Sequence, residues 1–230
     1  MSAHDADMKE TEAIYGQTDS GMTIIEGHLF LNGKKPIQHR SSYGLGEVIK
    51  AALDNHTEHL VISLGGIGSF DGGAGMLQAL GATFYDDEAQ IVDMRKGAYL
   101  IKYIRRIDLS GVHPQLTKVN IQLMSDFSSR LYGKKSEIMQ TYESLDLSQN
   151  EAAEIDNLIW YFSELFKNEL KIAMGPIERG GAGGGIAAVL NSLYQAEILT
   201  SHELVNQITH LENLIQQADL IIFGEGLKEE

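Results

Sequence analysis

Residues 59–82, HLVISLGGIGSFDGGAGMLQALGA, constrain this chain more than any other stretch. The short apolar run over residues 60–64 predicts a buried strand. It opens into a loop carrying Gly65, Gly66, Gly68, Gly72, Gly73 and Gly75, with Ser69 and Asp71 among them. Met76, Leu77 and Leu80 then predict an amphipathic helix. Strand, glycine loop and helix N-terminus, in that order, make a place where backbone N–H groups can face an anion. Glycine suits such a loop because it adopts positive φ and lets a ligand come close to the backbone. The other reading of these glycines is tight packing against a neighbouring element.

The rest of the chain alternates strand and helix patterns, which predicts an α/β domain with a largely parallel sheet. Residues 1–20 lack clear periodicity and read as a poorly defined segment. Residues 22–25 and 29–31 are strand candidates, with Asn32-Gly33 as a hairpin-type turn. Residues 46–55 predict a helix, residues 84–92 a hairpin, and residues 97–104 another helix. Val119, Ile121 and Leu123 alternate as a strand ending at Ser125-Asp126, and residues 127–136 read as a loop. The longest predicted helix covers residues 148–170, where Ser148 and Glu151 have capping-box spacing. Its apolar stripe is Ile155, Leu158, Ile159, Phe162, Leu165 and Phe166, and Trp160 reads as packing. A second glycine cluster, residues 180–185, runs into the apolar stretch IAAVLNSLY, and residues 201–217 predict one amphipathic helix. The last apolar run, residues 220–223, predicts a strand ending in Gly224-Glu225-Gly226.

Charge narrows the function classes. The 230 residues carry a net charge of −14, which argues against a nucleic-acid binder with a basic face. The balance is uneven: residues 95–135 hold 9 of the 18 Lys and Arg, while residues 136–230 hold 4 basic and 16 acidic residues. Two solvated faces account for this, and a basic rim that receives an anion is the sharper reading. Cys is absent, so disulfides and thiolate chemistry are excluded, which fits the cytoplasm. No apolar run has the length of a membrane span.

Familiar motifs fail on spacing. Gly133-Lys134-Lys135-Ser136 lacks the upstream glycine of a P-loop, and Asp71 stands where a dinucleotide fingerprint needs its third glycine. His202-Glu203-Leu204-Val205-Asn206 lacks the second His of a zinc-protease helix. Asp71 suits orienting a hydroxyl, taking its proton, helping to hold Mg²⁺, or capping the helix that follows. Asp126 and Glu225 sit at strand ends, where α/β proteins keep site residues, and a loop cap is the plainer role for each.

Residues 65–82, GGIGSFDGGAGMLQALGA, resemble the signature of the bacterial glycerate kinase family, near GGSATNDGGAGMLQALGA. Other segments fall in family order. SSYGLGEVI at residues 41–49 is similar to TTYGTGELI, SDFSSRLYG at 125–133 to CDVDNPLCG, and ADLIIFGEG at 218–226 to ADLVITGEG. The resemblance implies two α/β domains, one Rossmann-like and one inserted in it. Residues 21–217 then form the glycerate-kinase-like inserted α/β domain and residues 218–230 a remnant of the Rossmann-like one. It also implies transfer of the γ-phosphoryl group of ATP, with Mg²⁺, to a hydroxyl of glycerate. On the matching positions, Asp71 and Asp126 become the catalytic candidates and either one a Mg²⁺ ligand. Gly65, Gly66, Ser69, Gly72, Gly73 and Glu225 become the substrate- or phosphate-binding candidates.

The departures from the family pattern carry their own expectations. The DSFKGS and DGGEGT motifs are missing, the family's QKGA motif has no clear counterpart near residues 140–144, and only residues 227–230 follow the last glycine turn. Ile67 and Phe70 stand where the family has Ser and Asn. The chain therefore reads as a truncated member with little or no turnover alone. The alternatives are an inactive paralogue that binds a small acid or a partner protein, or one half of a split kinase. Glycerate is the expected small-molecule partner, with self-association or a complementary chain, and without nucleic acid or membrane.

Overall fold

The computed structural model describes residues 1–65 and 68–222. Its centre is a five-stranded sheet of β3 (Gly16–Gln17), β4 (Met22–Glu26), β5 (His59–Ser63), β8 (Asn120–Met124) and β9 (Glu197–Leu199), in the order β3-β4-β5-β8-β9. β3 runs antiparallel to β4, and the other pairs are parallel, with Ile24 opposite Val61, Leu60 opposite Ile121 and Leu123 opposite Ile198. Two small antiparallel ribbons flank it: β1 (Ser2–His4) with β2 (Glu10–Glu12), and β6 (Thr83–Tyr85) with β7 (Arg106–Asp108).

Alternation along β5 distributes its side chains between two faces of the sheet. Leu60, Ile62 and Leu64 enter the main core, whereas Val61 packs with Leu199 and Leu204 in a separate cluster. The main core is roofed by α2 (Tyr43–Asp54), α3 (Ala74–Ala79), α5 (Gln149–Leu170) and α6 (Ile186–Tyr194). Leu204 belongs to α7 (Ser201–Thr209), on the other side. The predicted capping box closes the start of α5 in both directions, with Ser148 N–H donating to Glu151 at 2.8 Å and Glu151 N–H donating to Ser148 Oγ at 3.3 Å. Ile155, Ile159, Phe162 and Phe166 form its buried stripe, whereas Trp160 is 47% exposed.

Several elements differ from the sequence expectation. Residues 29–31 are not a strand but part of α1 (His28–Leu31), a single helical turn that buries Phe30 and Leu31 completely. Core burial outweighs local β preference there. Residues 1–20 form β1, β2 and β3; β1 is anchored to α2 by Glu47, which accepts from His4 N–H at 3.0 Å. The expected helix at 97–104 is a 3₁₀ helix, Ala98–Tyr103. The predicted helix over 201–217 is broken into α7 and α8 (Leu211–Gln217), because His210 takes φ of 52° and ends α7. Residues 84–92 turn back as expected through an isolated bridge from Tyr85 to Ile91, although β6 pairs with β7. Of the predicted last strand, residues 220–222 lie outside any strand, and Phe223 and Glu225 lie outside the described residues. Among the described residues no helix is long and apolar enough to cross a membrane.

Candidate functional site

The parallel strands end along one edge, the usual place for an α/β ligand site. The ladder continues past their ends: Gly27 N–H donates to Ser63 O at 3.0 Å, Leu64 N–H to Met124 O at 2.9 Å and Ser125 N–H to Leu199 O at 2.8 Å. These bonds bring Gly65, after β5, beside Ser125 and Asp126, after β8. A cavity of about 450 Å³ opens there, lined by Leu64, Gly65, Ser125, Asp126, Phe127, Glu137, Thr141, Ser144 and Leu145. Its far wall is the short helix α4 (Glu137–Thr141) and the turn after it.

α4 is held in place from α5. Asp156 accepts from Gly133 N–H at 2.8 Å and from Ser136 Oγ, and Ser136 is the N-cap of α4. Glu137 follows immediately. Its Oε2 is buried and has no hydrogen-bond partner among the described residues. Burial pushes the Glu137 carboxyl up from 4.5 to about 7, and the facing N–H of Gly184 pulls it back in part. Asp126 has the opposite environment. It is exposed, its Oδ1 accepts from Ser201 N–H at 2.8 Å and Ser201 Oγ at 2.9 Å, and these bonds hold its carboxyl below the usual range. The cavity thus pairs an ionised carboxylate with one that titrates near neutrality.

The glycine loop has a different geometry from an open anion cradle. Asp71 is 1% exposed and accepts from Ser42 N–H at 2.8 Å, Ser42 Oγ at 2.9 Å, Gly73 N–H at 3.0 Å and Gly75 N–H at 3.1 Å. Burial raises its pKa, and these donors oppose the rise. Gly72 N–H donates to Gly184 O at 3.0 Å, so the amides of Gly72 and Gly73 are both used inside the fold. Here the two glycine clusters pack on each other. Gly184, at φ of +60°, would place a Cβ 2.0 Å from Ser69 O, and Gly185 would place one 2.8 Å from Gly72 Cα. Ser69 is 1% exposed, and its Oγ is buried without a partner among the described residues. At Gly65 a Cβ would meet nothing within 4 Å among the described residues.

Of the predicted site residues, the structure therefore brings Gly65 and Asp126 together on one cavity wall. It places Asp71, Gly72 and Gly73 in the buried joint behind it, with Ser69 in the same joint. Gly66 and Glu225 lie outside the described residues. Sequence reasoning missed Glu137 and Asp156. Ser136 followed by Glu137 is a legible helix start, but no local pattern signals that the acid is buried. Among the described residues, no group of three or more His, Cys, Asp or Glu is placed to hold a metal ion. A second cavity of about 350 Å³, lined in part by Gln38, Tyr99, Lys102 and Glu151, contains none of the predicted site residues.

Comparison with known proteins gives one consistent result. The profile of the Glycerate kinase family matches residues 1–229. The chain is 31% identical over 222 residues to the glycerate kinase of Halalkalibacterium halodurans, covering 94% of this chain and 58% of that protein. It is 31% identical over 186 residues to the glycerate 2-kinase of Escherichia coli K12, covering 81% and 48%. Its fold superposes with a TM-score of 0.88 on a crystal structure from Salmonella typhimurium LT2 assigned as a glycerate kinase 2, at 26% identity, over 95% of this chain and 60% of that one. The chain spans about half the length of the curated relatives it matches.

Proposed function

Because the chain belongs to the glycerate kinase family, we propose that it serves ATP-dependent phosphoryl transfer to a hydroxyl of glycerate. The observation that carries this reading is the cavity at the carboxyl edge of the parallel strands, with Gly65 and Asp126 on its wall. That edge is where this class of fold binds ligands. Phosphoryl transfer depends on positioning and charge stabilisation more than on a covalent nucleophile. A rigid sheet edge with carboxyl groups fixed by α4 and α7 supplies positioning.

Mg²⁺ is taken by one or two carboxylates together with the phosphates of its substrate. Asp126 fits that use: its carboxylate is exposed, ionised and fixed by Ser201. Bound there, the metal would neutralise phosphate charge. The cavity interior does not fit a triphosphate. Two carboxyl groups line it, and no Lys, Arg or His does so among the described residues. The triphosphate is therefore assigned outside the cavity and the small hydroxylated substrate inside it. Asp71 serves by holding residues 71–75 and the start of α2 in one geometry.

The same absence of a cation among the described lining residues favours a second reading, an inactive paralogue that binds a small molecule without transfer. Incubation with MgATP and glycerate, followed by phosphorus NMR, separates the two. A new phosphomonoester resonance that requires glycerate supports the kinase reading; its absence, with glycerate still bound, supports the second. Val205, Ile208, Leu214, Leu220 and Ile222 are exposed on one terminal segment, which supports self-association or a complementary chain. A cytoplasmic location accords with a chain free of Cys.

A further inference from the structure

We propose that the pocket formed by Lys35, Pro36, His39, Arg95 and Lys96 binds the phosphate group of a small ligand. It measures about 430 Å³, room for a phosphate and the part of the molecule that carries it. Every side chain on its wall except Pro36 is basic, and no carboxylate lines it among the described residues. This occurs in a chain with 18 Lys and Arg against 32 Asp and Glu. Cations brought together repel one another, and a cleft lined by one sign of charge concentrates ligands of the other.

Two turns build the pocket, and an acid fixes each of them. Asp7 accepts from Lys34 N–H at 2.6 Å and Lys35 N–H at 3.0 Å, and Lys35 Nζ donates to Asp7 O. Asp93 accepts from Arg95 N–H at 3.2 Å, Nε at 2.8 Å and Nη2 at 3.0 Å. The turns interlock at Gly97, where φ is +121° and a Cβ would lie 2.5 Å from His39 Cα, and Ala98 N–H donates to Arg40 O at 3.2 Å. Glu47, whose charge also reaches Arg95, accepts from His4 N–H at 3.0 Å and meets His4 Nδ1 at 2.9 Å. Among the described residues, Arg95 Nη1 and Lys96 Nζ make no hydrogen bond, so donors remain on a frame that is already set. The His39 ring stands edge-on to Tyr99 with centroids 4.9 Å apart, and it carries a ring N–H in either charge state.

A phosphate suits this wall because its oxygens can accept from several cations at once. The other arginines of the basic stretch over residues 95–135 that flank the pocket's turn are already occupied. Arg105 Nη1 donates to Lys102 O, Ile104 O and Tyr161 Oη, and the Arg106 guanidinium lies 4.0 Å over the Tyr85 ring. Arg40 joins the pocket to the glycine loop after β5: its Nε donates to Lys35 O at 2.8 Å and its Nη1 to Gly68 O at 2.9 Å. The assignment does not depend on the kinase reading. Under that reading, it supplies the cations that the carboxylate-lined cavity lacks. Two sources share the required chemistry, the polyphosphate tail of a nucleotide and the phosphomonoester of a small acid.

The test is calorimetric titration at low salt with tripolyphosphate and with phosphoglycerate, and with glycerate as the control without phosphate. Lys96→Glu is expected to weaken binding of the phosphate ligand at least about tenfold, the scale of one hydrogen bond between charged groups, and to leave glycerate binding unchanged. Lys96→Gln weakens it in the same direction by less, and thermal melts confirm that both variants fold. Lys118→Glu makes the same charge change before the start of β8, in a different cavity, and is expected to cost less than about twofold. Tighter binding of tripolyphosphate identifies a nucleotide tail, and tighter binding of phosphoglycerate a phosphomonoester. Binding of neither at millimolar concentration, or an equal loss in Lys118→Glu and Lys96→Glu, overturns the assignment. Phosphomonoester formation from MgATP and glycerate tests the kinase reading separately. Its absence beside Lys96-dependent phosphate binding removes transfer and keeps the pocket, and its presence with phosphate binding indifferent to Lys96 does the reverse.

Discussion

Ser42 and Asp71, separated by 29 residues, are locked together by two hydrogen bonds to one oxygen: Ser42 N–H and Ser42 Oγ reach Asp71 Oδ2 at 2.8 and 2.9 Å. Ser42 Oγ also accepts from Met76 N–H at 2.9 Å. One buried carboxylate thus ties the start of α2 to the start of α3 and fixes residues 71–75.

Replacing that carboxylate leaves four donors buried without an acceptor. Asp71→Ala is expected to cost about 3 kcal/mol or more, since each buried unpaired group costs roughly 1–3 kcal/mol. Ser42→Ala is expected to cost about 1–2 kcal/mol, and the double variant less than the sum, because the residues share one network. Urea unfolding of the four proteins measures this. Additive losses would show that the network does not act as a unit.

Glu137 gives stability a pH dependence with a definite sign. Its folded pKa, about 7, lies above its ordinary 4.5, so the folded state holds a proton that the unfolded state has released. The contribution is fully present below pH of about 4.5 and is lost as pH rises through about 7. At about 1.4 kcal/mol per pH unit the loss is on the order of 3 kcal/mol. Glu137→Gln is expected to flatten this part of the profile and to be more stable than the parent at pH 8. Melting curves from pH 4 to 8 read the difference.

The two glycine clusters make a paired prediction. Gly184→Ala forces a Cβ to within 2.0 Å of Ser69 O at a left-handed φ of +60°. A loss of at least about 2 kcal/mol is expected, seen as a fall in Tm of roughly 2–4 °C per kcal/mol. Gly65→Ala meets nothing within 4 Å among the described residues and is expected to stay within about 0.5 kcal/mol of the parent. Because Gly65 lines the cavity, that variant is expected to weaken glycerate binding with its stability intact, which calorimetry checks.

How much of this was legible in the sequence depended on whether the signal was local. The Ser148/Glu151 capping box, the stripe from Ile155 to Phe166 and the alternation around Ile121 are set by periodicity, and the structure contains each of them. The turn at residues 28–31 was not legible as a helix, because burial of Phe30 and Leu31 decides it. The break at His210 rests on one left-handed residue with no glycine to announce it. At the site, Asp126 was readable as a strand-end acid. Glu137 was not, because its burial is a tertiary effect, with Gly184 of the second glycine cluster facing its carboxyl. The glycines of residues 65–75 looked alike in the sequence. The structure separates Gly65, open to a cavity, from Gly72 and Gly73, whose N–H groups are engaged within the fold.

The most direct test of the central claim is glycerate-dependent release of ADP from MgATP, measured for this chain and for Asp126→Asn. Asp126 is exposed, so the variant is expected to fold like the parent. The proposed function predicts release that is slow but saturable in glycerate, at least about tenfold above the glycerate-free background, and reduced to that background in Asp126→Asn. Release that does not respond to glycerate, or that Asp126→Asn leaves unchanged, would contradict it.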